Sequence, residues 1–100
     1  MIKHIVMWRV KNREDAKARE ETCRAIKAKI EALRGKIPGM LYIEAGIDFE
    51  QSETAMDVVL YSEFESRAAL DGYQVHPAHL EMAKFIADRR IERRIADYEV

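Results

Sequence analysis

The sequence predicts an α+β fold: one antiparallel sheet with helices on one face, in the order β-α-β-β-α-β. Three observations predict it. Three segments alternate apolar and polar residues with a period of two, as strands do. Two stretches between the strands space their apolar residues as helices do. Capping and turn residues mark the joints.

The first strand runs from Ile2 to Val10. Ile2, His4, Val6, Trp8 and Val10 share one face, and Lys3, Ile5, Met7 and Arg9 share the other. Asn12 is expected to cap the first helix, with Asp15 in its first turn near the positive dipole end. From Arg13 to Arg34 the residues Ala16, Cys23, Ile26, Ile30 and Leu33 form one buried stripe. Gly35 stops the helix and Pro38-Gly39 makes a turn.

Met40 to Phe49 forms the second strand, with Leu41, Ile43, Ala45, Ile47 and Phe49 on one face. Glu50 to Glu53 is a polar loop, and Ala55 to Phe64 is the third strand. Ser66 caps a short helix through Leu70 to Tyr73. Pro77 opens a further helix, with His76 before it as a cap. That helix reaches about Asp88 and presents Leu80, Ala83 and Ile86. Ile91 to Val100 is the last strand. This order is the ferredoxin-like pattern.

With 100 residues, there is room for one domain, 1–100, and one core. Such a chain buries roughly 65% of its unfolded surface, so association would add useful stability. Acids (18) and bases (17) nearly cancel, which argues against nucleic acid or a membrane surface as partner. The apolar N-terminal run is too short for a signal or a span. Cys23 is the only cysteine, so no intrachain disulfide forms, and a cytoplasmic location is expected.

In this pattern the helices cover one sheet face. The other face carries Ile5, Met7, Val59 and Tyr61, which is too apolar for a wet surface. Burying each such side chain contributes about 1.5–3 kcal/mol. A second copy's sheet is the simplest cover, giving a homodimer through sheet faces and a dimeric α/β-barrel.

Met1 to Val6, Ile37-Pro38-Gly39-Met40, Ala55 to Phe64, Leu70 to His79 and the closing Asp97-Tyr98-Glu99-Val100 follow one another in an order and spacing that resemble the stress-responsive dimeric A/B barrel domain family. The resemblance covers nearly the whole chain. It implies a homodimer with sheets face to face, and a cavity in each protomer between helices and sheet. The family includes bacterial proteins of unassigned function, ring-forming plant stress proteins and a plant polyketide cyclase. In that cyclase, the tyrosine and last histidine of a Tyr-x-x-His-Pro-Ala-His stretch carry catalysis. Tyr73-Gln74-Val75-His76-Pro77-Ala78-His79 matches the stretch, and His4 matches a histidine of the cyclase's first strand. Elsewhere the pocket residues differ, so the cyclase's substrate does not carry over.

The expected chemistry centres on His79, whose place in a first helical turn should lower its pKa and keep the ring neutral. Neutral imidazole is a general base. Tyr73 would donate to a developing oxyanion. The resemblance implies that His4 completes the catalytic group, and His76, Val6 and Trp8 would touch the ligand. The ligand class is a small, partly apolar molecule, and the reaction class is proton transfer with cyclisation or isomerisation. No organic cofactor is implied, because no glycine-rich phosphate loop occurs.

His76 and His79 are three apart, with Asp57 or Glu63 as candidate carboxylates, but a dedicated metal site is not expected. The alternative reading is a non-catalytic stress or assembly protein with structural histidines. The basic run Arg89, Arg90, Arg93 and Arg94 reads as a helix end and a solvated strand face. Trp8, Tyr42 and Phe49 read as core or interface filling, and Cys23 as inert packing.

Overall fold

A computed structural model describes residues 1–100. Its elements are β1 (Ile2–Val10), α1 (Ala16–Glu31), β2 (Met40–Ile47), β3 (Val58–Phe64), α2 (Arg67–Gln74), α3 (Pro77–Ala87) and β4 (Arg90–Glu99). The four strands form one antiparallel sheet in the order β2-β3-β1-β4. The fold is ferredoxin-like, as the pattern predicts. No helix is long and apolar enough to cross a membrane.

The core lies between the sheet and the helices. Val6, Trp8 and Val10 of β1 and Leu60 and Phe64 of β3 pack under Cys23, Ile26 and Ile30 of α1 and Met82 and Ile86 of α3. Burial raises the Cys23 thiol pKa, which keeps it an unreactive packing group.

The joints differ from the sequence reading in several places. Asp15, not Asn12, caps α1: its carboxylate accepts from the Lys17 and Ala18 amides. Asn12 takes a left-handed turn at φ 57°, which Asn tolerates better than most residues. In β2, the pairings Met40–Phe64 and Tyr42–Glu63 leave Leu41 as the extra residue of a bulge. Leu41 is therefore exposed rather than in line with Ile43 and Ala45.

β2 ends at Ile47, because the Asp48 amide donates to the Asp57 carbonyl and the Asp48 carboxylate accepts from the Gln51 amide. Phe49 is left 94% exposed. Along α3 the buried positions are Met82 and Ile86, and Leu80 faces solvent. The stripe is His79, Met82, Ala83, Ile86, the usual i, i+3, i+4, i+7 spacing with a histidine as its first member.

Gly39 shows why the Pro38-Gly39 turn needs glycine. Its φ is 78°, and an added Cβ would lie 2.6 Å from the Ala69 Cβ of α2.

The sheet face away from the helices carries Ile5, Met7, Val59 and Tyr61, as expected, but it is mixed. The Tyr61 hydroxyl donates to Glu63 at 2.5 Å, and the Tyr42 hydroxyl donates to Glu44. Met7 and Val59 border an apolar recess with Ile47, Phe49 and Met56.

One buried carboxylate ties the joints together. Asp57 accepts from Arg19 Nε at 2.7 Å, Arg13 Nε at 3.0 Å and the Val10 amide at 2.9 Å. Burial alone would raise its pKa. The hydrogen bonds from Arg13, Arg19 and Val10 outweigh that and hold the carboxyl below the usual carboxylate range. Asp57 is thus fully engaged by the protein. Removing one partner of a buried ion pair typically costs about 3–5 kcal/mol. Asp57→Ala is expected to destabilise the fold by about that amount in urea denaturation. A loss under about 1 kcal/mol would show that the network is not holding these elements.

Candidate functional site

A cavity of about 220 Å³ opens between the helices and the sheet. β1 supplies His4, Val6 and Trp8 to its wall, because alternate residues of a strand share a face. Tyr73 comes from the last turn of α2, and His79 from the first turn of α3. Met82, Ala83 and Ile86 complete the α3 side, and Arg90 and Arg93 stand on β4.

The break between α2 and α3 brings Tyr73 and His79 together. The His76 amide donates to the Tyr73 carbonyl at 3.1 Å, and His76 Nδ1 accepts from the Ala78 amide at 3.0 Å. This cap starts α3, with Pro77 at the first helical position. The Tyr73 and His79 ring centroids are then 4.3 Å apart. His4 meets Tyr73 edge-on at 5.8 Å. Tyr73 therefore sits between two imidazoles.

Each imidazole is oriented through one nitrogen. His79 Nδ1 lies 3.1 Å from the Gln74 carbonyl oxygen, which can only accept. The proton of the neutral ring is therefore on Nδ1, and the Nε2 lone pair is free. Burial lowers the His79 pKa, partly offset by the Gln74 hydrogen bond, with the charges of His4 and Arg93 adding to the lowering. The direction matches the sequence expectation, but the leading cause is desolvation rather than the helix dipole. His4 Nδ1 lies 2.5 Å from Asp97 Oδ1, across the β1–β4 pairing. That carboxylate orients the His4 ring.

The Tyr73 hydroxyl has no hydrogen-bond partner although the residue is 1% exposed. An orphaned buried hydroxyl costs about 1–3 kcal/mol, so its persistence calls for an explanation. Burial pushes its pKa well above the ordinary tyrosine range, so the phenol keeps its proton and is a donor.

Five of the six residues singled out from the sequence, His4, Val6, Trp8, Tyr73 and His79, line this one cavity. The sixth, His76, does not. Its ring is used as a cap, and it borders a separate shallow recess with Pro38 and Gly39. Sequence reading missed Asp97, whose place opposite His4 depends on the β1–β4 register. Arg93 is exposed on β4, as the basic run predicts, but it and the half-buried Arg90 also line the cavity, which the sequence pattern does not reveal. Arg89 and Arg94 fit the earlier reading. Arg89 stacks on Phe85 at 3.6 Å, and Arg94 pairs with Glu92 at 2.7 Å.

Comparison with known proteins agrees with this architecture. The family model for the stress responsive A/B barrel domain matches residues 2–100. The chain belongs to this family. Among solved structures, this A/B barrel chain is similar to a dimeric ferredoxin-like protein of unknown function from Bacteroides fragilis. Identity there is 30%, the TM-score is 0.86, and the match covers 99% of this chain and 95% of that one. A dimeric ferredoxin-like protein of unknown function from Thermobifida fusca shares the fold at 18% identity and TM-score 0.84, covering 99% and 90%. A hydroxynitrile lyase from Passiflora edulis shares it at 21% identity and TM-score 0.80, covering 99% and 92%. A search of curated proteins finds no match.

The lowered His79 pKa has a stability consequence. The unfolded chain takes up this proton near the ordinary value of about 6.5, and the folded chain only at lower pH. The contribution of neutral His79 is therefore complete above about pH 6.5 and is lost as pH falls toward the folded value. An NMR titration of the His79 ring is expected to show a midpoint below about 6.5, and His79→Gln should flatten the fall of Tm across that window. A midpoint at or above 6.5 would contradict burial as the controlling effect.

Proposed function

We propose that this A/B barrel protein is a homodimer that binds a small, partly apolar molecule in the cavity and moves a proton on it. His79 is the general base, Tyr73 the donor to the developing oxyanion, and His4 the third member, oriented by Asp97. The observation that carries this reading is the buried, unpartnered Tyr73 hydroxyl, beside a neutral imidazole with a free Nε2. A ligand oxygen would satisfy that hydroxyl.

The chemistry follows from the two groups. His79 Nε2 takes a proton from a carbon next to a carbonyl. Electron density moves onto the carbonyl oxygen, and the Tyr73 O–H stabilises it there. The carbanion equivalent can then be reprotonated elsewhere, which is isomerisation, or attack a second carbonyl, which is cyclisation. Positioned general bases contribute about 10²–10⁴-fold.

Deuterium exchange into the methyl group of 4-hydroxyacetophenone, followed by NMR, tests the step without knowledge of the natural substrate. The protein is expected to accelerate exchange over free imidazole. His79→Gln and Tyr73→Phe should each remove roughly 10²-fold of the acceleration while leaving the fold intact. No acceleration, together with variants that only lower Tm, would favour the non-catalytic assembly role.

The pairing rests on the outer sheet face, with Met7, Val59 and the bare Phe49 ring as its most apolar end. The Bacteroides and Thermobifida structures are both described as dimeric. Met7→Asp and Val59→Asp are expected to give monomers or insoluble protein in analytical ultracentrifugation. A folded dimer of unchanged stability would mean that another face pairs.

A further inference from the structure

The sequence holds ten arginines, and eight of them have a partner. Arg9, Arg13, Arg19, Arg24, Arg67 and Arg94 pair with carboxylates. Arg34 donates to the Ile43 carbonyl, and Arg89 donates to the Phe85 carbonyl. Only Arg90 and Arg93 have neither an ion pair nor a hydrogen bond. These two line the cavity, and no aspartate or glutamate lines it with them. The cavity therefore carries two positive charges that no carboxylate of its lining offsets.

The fold explains how they face inward. Arg93 pairs with Trp8 in the β1–β4 register, so both point to the helix side. The helices stop short of β4: Ile95, opposite Val6 on that same side, is exposed. The cavity therefore opens along β4. Arg93 is exposed there and Arg90 is half-buried. The Arg93 charge also acts on both Tyr73 and His79, lowering the pKa of each.

We propose that the cavity takes an amphipathic carboxylate, in which Arg90 and Arg93 hold the carboxylate at the open edge and a flat apolar body reaches the Tyr73 hydroxyl. This rests on the reading of the cavity as a ligand site and adds the charge and shape of its occupant. A volume of about 220 Å³ suits roughly one substituted ring, being below the usual 300–1,000 Å³ of drug-sized sites. The walls are apolar: Val6, Trp8, Leu60, Met82 and Ile86. Guanidinium matches a planar carboxylate through paired, charge-assisted hydrogen bonds.

Salicylate and its uncharged analogue salicylamide separate charge from shape, read by isothermal titration calorimetry on the intact protein. Salicylate is expected to bind at least tenfold more tightly than salicylamide and to weaken as salt rises. Arg93→Gln and Arg90→Gln should each weaken salicylate roughly tenfold and leave salicylamide unchanged. Circular dichroism of the variants confirms folding. Equal binding of the two probes, or no response to either arginine, would overturn the carboxylate while leaving the cavity as a site for neutral ligands. Binding of neither probe would overturn both readings. Displacement of salicylate by inorganic phosphate at equal concentration would also overturn it, by assigning the arginines to a tetrahedral anion.

Discussion

The fold depends on Asp57, whose carboxylate is fully buried and whose side chain and backbone together bind four segments. Its side chain receives the last amide of β1 and two guanidinium groups, one before α1 and one in its first turn. Its backbone bonds Trp8 of β1 and Asp48 at the end of β2. A lone buried charge would be prohibitively costly, so the network stands only as a whole. Its effect is to fix the end of β1 against the start of α1. That in turn sets which β1 face meets the helices, and so places His4, Val6 and Trp8 on the cavity wall.

Much of this was legible in the sequence because it depends on local periodicity. The alternation from Ile2 to Val10 sorts His4, Val6 and Trp8 from Ile5 and Met7 without reference to anything distant. The Cys23, Ile26, Ile30 stripe does the same for α1. The joints were less legible. Asn12 and Asp15 are both good caps, and the choice was made by Asn12 accepting a left-handed turn. Leu41 broke its alternation because a bulge adds one residue, and a bulge leaves no local signal in a run such as Met40-Leu41-Tyr42-Ile43.

The site divides in the same way. Tyr73 and His79 are close in sequence, and the Pro77 between them announces a corner, so their meeting follows from local rules. Asp97 and Arg93 lie about ninety residues from their cavity neighbours His4 and Trp8. Their roles depend on strand register, which no short window encodes. The basic run was hard to read for the same reason: Arg89 precedes β4, and the irregularity between the Arg9–Glu92 and Val10–Arg90 pairings puts Arg90 and Arg93 on the same side against simple alternation.

The close approach of Gly39 to Ala69 links a surface turn to the interior. Ala69 lies four residues before Tyr73, one helical turn along α2. A side chain gained at position 39 would overlap Ala69, so the turn or α2 must shift, and a shift of α2 carries the phenol with it. An outlying loop thus reaches the wall of the pocket through a single methyl group.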